Sequence, residues 1–143
     1  MQRSFDVETA RNATESVPST EGLDWEAWLG DTRNVMFTID NGDVGLATFE
    51  YPGLYNVHWF FNNTKGRAAI NLAEEMLNEL FTTHGAEAIR GFTPVEVKTA
   101  RFLAKYVGLT SYGFVDTENG LCELMIMTKD EFYQHLKDKK NGS

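Results

Sequence analysis

The feature that most constrains the fold is a change of hydrophobic period near residue 62. Residues 55–61 read YNVHWFF and are apolar on both faces, as in a central strand covered on both sides. From residue 66 to 83 the apolar positions recur every three or four residues, which predicts a long helix with one wet face. The chain therefore passes from a buried strand into a helix through a short polar loop.

Two more strands precede this strand. Residues 35–40 and Val44–Tyr51 are rich in β-branched and aromatic side chains, and Asn41-Gly42 between them is a strong hairpin signal. Pro52-Gly53 marks the next turn. The three segments predict an antiparallel meander.

The remaining segments follow weaker patterns. A strand at 2–5, a loose helix at 7–16 and a short helix at 24–29 precede the meander. After the long helix, the patterns predict a strand at 86–92, a helix from 93 to 107, strands at 110–115 and 121–127, and a helix at 132–136. The helix at 93 is predicted from Thr93-Pro94 and Glu96, which have the spacing of a capping box. We expect a single domain over 1–143, with 1–22 partly flexible and 137–143 a frayed tail.

Composition limits the possible functions. The chain has one cysteine, Cys122, so no internal disulfide or Cys-based metal site is expected, and a reducing, cytoplasmic location is favoured. Cys122 itself is expected to be a small buried hydrophobe. No metal site is expected, because the three histidines are widely scattered. No apolar run is long enough for a membrane span, and the N-terminus has no signal-peptide core.

The net charge of −8 is concentrated in the first 60 residues, which carry ten acidic and three basic side chains. This distribution argues against a nucleic-acid surface. It could attract a cationic amine substrate, although a solubilising surface is the simpler explanation.

The loop after the strand has the features of an anion site. The start of a helix leaves main-chain N–H groups unpaired and carries a partial positive charge. Gly66 and Ala68 allow a phosphate to approach the backbone, and Lys65 and Arg67 add charge. A pyrophosphate would suit this loop; the alternative is an ordinary strand-to-helix turn with two solvated bases.

At this loop the sequence resembles a known family. Asn63-x-x-Gly66-x-Ala68 is similar to the Gln/Arg-x-x-Gly-x-Gly/Ala signature of the GNAT (Gcn5-related N-acetyltransferase) superfamily, and residues 100–109 resemble its second-helix signature. The order of elements over 32–128 also matches. The resemblance implies an α/β (α+β) fold with a mixed, mostly antiparallel central sheet and helices on both faces. Some small phage-encoded GNAT-like proteins, including virion components, look similar in layout.

The resemblance also implies a site. Amides of residues 64–68 would bind the pyrophosphate of acetyl-CoA, and backbone groups of residues 58–60 would pair with its pantetheine arm where the sheet splays. A primary amine would then attack the acetyl group directly. The implied coenzyme-binding residues are His58, Trp59, Phe60, Asn63, Thr64, Lys65, Gly66, Arg67 and Ala68.

Several positions depart from the family pattern. Asn63 replaces the usual Gln or Arg, Val97 stands where an Asn is common, and Ala104 stands where a general-acid Tyr is usual. The strand before the loop has no acidic residue. His58, or Glu50 on the neighbouring strand, is the candidate base. Candidate acids are Tyr106 and Tyr112.

Two functional hypotheses follow, together with a third possibility for the fold. The first is an N-acetyltransferase, and the second is a GNAT-fold protein without turnover that binds CoA or serves as a structural component. A different α/β fold with a chance loop would show no splay between the strands at 55–61 and 86–92. Lys98, Arg101 and Lys105 could meet the 3′-phosphate of CoA or form a solvated helix face. Exposed-looking aromatic residues could support a homodimer.

Overall fold

The computed structural model describes residues 1–17 and 20–141, which form seven strands and five helices. The elements are β1 (Gln2–Ser4), α1 (Val7–Thr14), α2 (Trp25–Gly30), β2 (Val35–Thr38), β3 (Val44–Tyr51), β4 (Leu54–Phe60), α3 (Gly66–Thr82), β5 (Ala88–Pro94), α4 (Lys98–Tyr106), β6 (Thr110–Thr117), β7 (Gly120–Thr128) and α5 (Lys129–Asn141).

The strands form one mixed sheet in the order β1-β2-β3-β4-β5-β7-β6. Only β4 and β5 pair in parallel, and α3 connects them as a crossover. Every other neighbouring pair is antiparallel. The predicted meander is thus β2-β3-β4, with Gly42 at φ +91° in its first turn.

Helices cover both faces of the sheet. On one face, α1 and α2 pack on a cluster that includes Met36, Leu46 and Phe60. On the other, the apolar stripe of α3, with residues of α4 and α5, packs on side chains of β2–β5 and β7. The two faces match the alternation of side chains along the strands. This arrangement confirms the predicted fold class.

The helix predicted from Thr93 is wrong at its start. Residues Thr93 and Pro94 end β5, opposite Glu123 and Cys122 of β7, and α4 begins only at Lys98. The N–H of Val95 donates to the carbonyl of Leu121 on β7, so the main chain of Pro94, one residue earlier, faces away from β7. Because of this orientation, the lack of an N–H group in Pro94 removes no hydrogen bond to β7. Strand pairing overrides the local capping pattern.

The C-terminal helix is longer than predicted. It starts at Lys129 and continues to Asn141, so residues 137–141, expected to be frayed, are helical. Lys139 Nζ lies 2.8 Å from a carboxylate oxygen of Glu74 on α3, which ties this last stretch to the domain. Residues 142–143 lie outside the described residues.

Candidate functional site

The site begins where β4 and β5 stop pairing. Their register covers only Leu54 to Asn56 against Ala88 to Arg90, although both strands continue further. Beyond these pairs the two strands separate, while β3 still pairs with β4 as far as Phe60. The splay expected from the sequence is therefore present, and it leaves an opening in the middle of the sheet.

Main-chain groups line this opening. The carbonyl of Gly53 accepts hydrogen bonds from the amides of Glu87 and Ala88, so the backbone of alternate residues, including Val57 and Trp59, faces β5. By the same alternation Phe92 turns its main chain toward the opening from β5. Beyond Asn56 the opening thus offers unpaired N–H and C=O groups on both sides. These groups suit an extended, amide-containing ligand.

Asp43 is fully buried and anchors the loop that follows β4. Its carboxylate accepts hydrogen bonds from the Asn63 amide, at 3.0 and 3.1 Å, and from the Thr64 hydroxyl, at 2.6 Å. Asn41 adds two contacts: its Nδ2 donates to Thr64 Oγ1, and its carbonyl accepts from Asn63 Nδ2. The β2–β3 turn therefore holds the loop in one conformation.

Sequence reasoning missed Asp43, because Asn41-Gly42-Asp43 reads only as a turn. The contacts join residues 20 and more positions apart, and no local pattern reports them. Asn63 stands at the first signature position. Its main-chain N–H donates to Asp43, and its Nδ2 donates to the carbonyl of Asn41.

The start of α3 is open to solvent. No side chain caps it, and residues 65–68 are exposed, so the N–H groups of its first turn face outward. Gly66 has φ +62°, a conformation that favours glycine, and a Cβ there would meet open space. Lys65 and Arg67 flank it. The loop thus combines free amides, a positive helix end and two cations, which is a suitable donor set for a diphosphate.

The fold was compared with solved structures. The aminoglycoside acetyltransferase AAC(6')-Ib in complex with coenzyme A has a TM-score of 0.68 at 14% identity, covering 90% of this chain and 92% of that chain. A spermidine N-acetyltransferase chimera from Vibrio cholerae SpeG and hSSAT has 0.72 at 12%, covering 92% and 98%. Mycobacterium smegmatis RimJ in complex with CoA-disulfide has 0.70 at 16%, covering 95% and 82%.

The chain has the GNAT fold. No family model matches the sequence, and no curated protein matches it. The splayed strands and the shared architecture reject the alternative of a different α/β fold. The β4–β5 opening interrupts the central sheet beside the loop that precedes α3.

His58 lies on β4 beside this opening, on the sheet face that carries α1 and α2. Its side chain stacks on Phe60, with ring centroids 6.3 Å apart, and keeps part of its surface open to solvent. The many protein atoms around the ring hinder hydration of its charged form, and this desolvation lowers the pKa of His58 below 6.5. An accessible imidazole with a lowered pKa is mainly neutral at pH 7 and can accept a proton.

Glu50, the other candidate base, lies apart from His58. The cross-strand neighbour of His58 is Leu46, so Glu50 is four residues further along β3, roughly 13 Å at the usual strand rise. Its carboxylate accepts a 2.6 Å hydrogen bond from Asn56 Nδ2 and lies 3.9 Å from an Arg90 terminal nitrogen. The structure does not bring the two candidate bases together.

The positions that depart from the GNAT pattern lie in different environments. Ala104 is 3% exposed and faces the core. Its methyl side chain has no hydroxyl that could act as an acid. Val97 is the exposed residue before α4. Tyr106 is exposed beside Phe102 on α4, and Tyr112 is exposed on β6.

The basic stripe of α4 is largely engaged within the protein. Arg101 Nε lies 2.9 Å and Lys105 Nζ 3.6 Å from the buried carboxylate of Glu123 on β7, while Lys98 is exposed. Burial by itself would raise the pKa of Glu123, but hydrogen bonds from Ser111 and Arg101 and the charges of Lys105 and Arg101 lower it overall. Cys122, next to Glu123, is a buried free thiol, as predicted.

Within residues 1–17 and 20–141, no group of three or more His, Cys, Asp or Glu side chains could hold a metal ion. In the same residues, no helix has both the length and the apolar character needed to cross a bilayer. A cavity of about 490 Å³ lies beside α1 and α2, lined by Arg11, Glu15, Glu21 and Trp25 among others, rather than by the α3 loop.

Proposed function

We propose that this protein is a GNAT-type N-acetyltransferase that moves an acetyl group from acetyl-CoA to a primary amine of a small molecule or a protein. One observation carries the proposal: an uncapped helix start lies next to an opening lined by unpaired strand edges. Titration with acetyl-CoA, followed by a thiol-release assay over a panel of amines, tests it.

The coenzyme fits these residues as follows. Amides of residues 64–68 would hold the pyrophosphate, with Lys65 and Arg67 supplying positive charge. The backbone at His58, Trp59 and Phe60 would hold the pantetheine arm, Trp59 being the residue whose main chain faces the opening. When bound, acetyl-CoA supplies an activated thioester. The chain would orient it beside β4 and exclude water from one side.

His58 is the proposed base. Its neutral imidazole could take the proton of the incoming amine, since it is exposed on the same strand that would hold the thioester arm. Ala104 cannot donate a proton, so the leaving thiolate would take its proton from solvent.

Charge at the loop provides the first test. A double variant, Lys65→Gln with Arg67→Gln, should weaken acetyl-CoA binding by about tenfold or more, because two cations near the diphosphate are lost. A double variant on α5, Lys129→Gln with Lys137→Gln, removes the same charge elsewhere and should bind normally. Calorimetry measures both, and equal losses would argue against a diphosphate at the loop.

The second candidate is a GNAT-fold protein without turnover that binds CoA or acts as a structural component, such as part of a virion or another complex. The buried Ala104 favours it, because the usual acid position is filled by a core methyl group. Tight acetyl-CoA binding without thiol release for any amine would support this second candidate.

A cytoplasmic location and a homodimer also belong to the proposal. The single free thiol of Cys122 fits a reducing compartment. Exposed aromatic side chains on α4 and β6 include Phe102, Tyr106 and Tyr112. Light scattering on the purified protein measures the mass directly.

A further inference from the structure

Arg90 belongs to a polar cluster with Glu50 and Asn56 on the sheet face beside the opening. It lies on β5 opposite Asn56 of β4, at the last pair before the strands separate. Asn56 shares its face with His58, two residues further along β4, and Arg90 shares its face with Phe92. The cluster therefore lies on the same face as the proposed base.

The guanidinium of Arg90 is held in place from two sides. Its Nε donates a 2.7 Å hydrogen bond to Asn56 Oδ1, and its plane lies over the Phe92 ring, 5.2 Å from the centroid. Asn56 is itself oriented by its 2.6 Å bond to Glu50. The chain Glu50–Asn56–Arg90 thus fixes a side chain that is otherwise flexible.

The terminal nitrogens of Arg90 are only weakly engaged. One of them forms a long ion pair with Glu50, at 3.9 Å, and within residues 1–17 and 20–141 neither makes a hydrogen bond. The Arg90 side chain is 26% exposed. A partly desolvated guanidinium whose terminal N–H groups make no hydrogen bond can donate to the oxygens of a carboxylate.

This part of the sheet face is uncovered. The cluster beneath α1 and α2 draws on residues of β2, β3 and β4, and includes none of the described residues of β5 or β7. Phe92 and, across from Arg90 on β7, Ile126 are accordingly only partly buried. A small ligand can reach Arg90 from solvent.

We propose that Arg90 binds the carboxylate of the acceptor, so that the acceptor is a small amine that also carries a carboxylate. This inference rests on the proposed function, because it takes the amine to lie near His58. Glu50 then acts as a positioning residue for Arg90, through Asn56. A polyamine offers no carboxylate to Arg90, so we expect the protein to favour an amine that carries one.

The test compares 4-aminobutyrate with its amide, which differ only in the carboxylate. The wild-type protein should acetylate the acid with a kcat/KM at least tenfold above that of the amide, and above that of spermidine. Arg90→Met should abolish this preference, and Arg90→Lys should restore part of it. Arg33→Met is the matched control, because Arg33 also lies over a phenylalanine ring, Phe49, and should keep the wild-type preference.

Asn56→Ala is the second variant, in case Arg90→Met does not fold. Without its tether Arg90 should keep its charge but lose orientation, and the preference for the acid should fall several-fold. Equal rates for acid and amide in the wild type, or an unchanged preference in Arg90→Met or Asn56→Ala, would overturn the proposal. So would a stronger preference for phosphoethanolamine, which carries a phosphate in place of the carboxylate.

A binding measurement separates this inference from the proposed function. Calorimetry with N-acetyl-4-aminobutyrate and its amide, in the presence of CoA, needs no turnover. Arg90-dependent binding of the acid without acetylation of any amine would support the carboxylate site and reject the transferase. Acetylation of acid and amide at equal rates would support the transferase and reject the carboxylate site.

Discussion

At the residue scale, Gly66 has the most specific requirement in the site. Its φ of +62° costs an L-residue about 1–2 kcal/mol, and a Cβ would project into the open space beside the loop. We expect Gly66→Ala to weaken acetyl-CoA binding by roughly tenfold. Gly120→Ala is the matched control, because Gly120 also has positive φ and open surroundings but is the first residue of β7. Calorimetry that finds equal affinity losses would contradict a role specific to the loop.

His58 gives a prediction about pH at the same scale. Desolvation lowers the pKa of His58 below 6.5 in the folded protein, so the folded state resists protonation that the unfolded chain accepts. The free energy of unfolding should therefore fall as pH drops below 6.5. If His58 is the base, kcat/KM should stay level down to about pH 6.5 and decline only at lower pH.

Two substitutions separate stability from catalysis. His58→Gln should remove the acidic limb of the rate profile. Desolvation, with a smaller effect of the Arg3 charge, also lowers the pKa of His84, which lies after α3. His84→Gln should therefore change the pH dependence of stability and leave the rate profile unchanged. If His84→Gln altered the pH profile of kcat/KM and His58→Gln did not, the assignment of His58 as the base would be contradicted.

At the scale of elements, the buried carboxylate of Glu123 on β7 links α4 to the sheet. The folded pKa of Glu123 lies below 4.5 despite its burial, because Ser111, Arg101 and Lys105 stabilise the anion. Its contribution to stability is full above pH 4.5 and is lost as pH falls through the lower folded pKa. Glu123→Gln should reduce the free energy of unfolding by roughly 1–3 kcal/mol at pH 7. Denaturant titration measures this, and the exposed Glu118→Gln should change little.

The elements also show which patterns a sequence reveals. The change from a run that is apolar on both faces to a helical period placed β4 and α3 within one or two residues, because both patterns follow from local geometry. The start of α4 was misplaced, since Thr93 and Pro94 pair with a strand almost thirty residues later. Here the pairing with β7 determines the conformation of Thr93 and Pro94, and the local capping pattern does not.

At the scale of the whole molecule, the fold could be predicted from the order of elements, but the groups that support the loop before α3 could not. The resemblance over 32–128 indicated the fold, and the coenzyme position at residues 63–68 stays a prediction. Asp43 beneath the loop and the Glu50–Asn56–Arg90 chain depend on contacts between separate strands. The register that makes those contacts is a property of the assembled sheet.

The separation of β4 from β5 has a further consequence for the molecule as a whole. It gives the sheet an interior edge, and a bound pantetheine arm would act there as a short substitute strand. In the free protein the amide hydrogens of Trp59 and Phe92 should exchange with deuterium rapidly, and acetyl-CoA should slow them selectively. Mass spectrometry would detect this protection, and an unchanged rate at both residues would mean that the ligand bypasses the gap. On this view, the substrate completes the hydrogen bonding of the sheet that binds it.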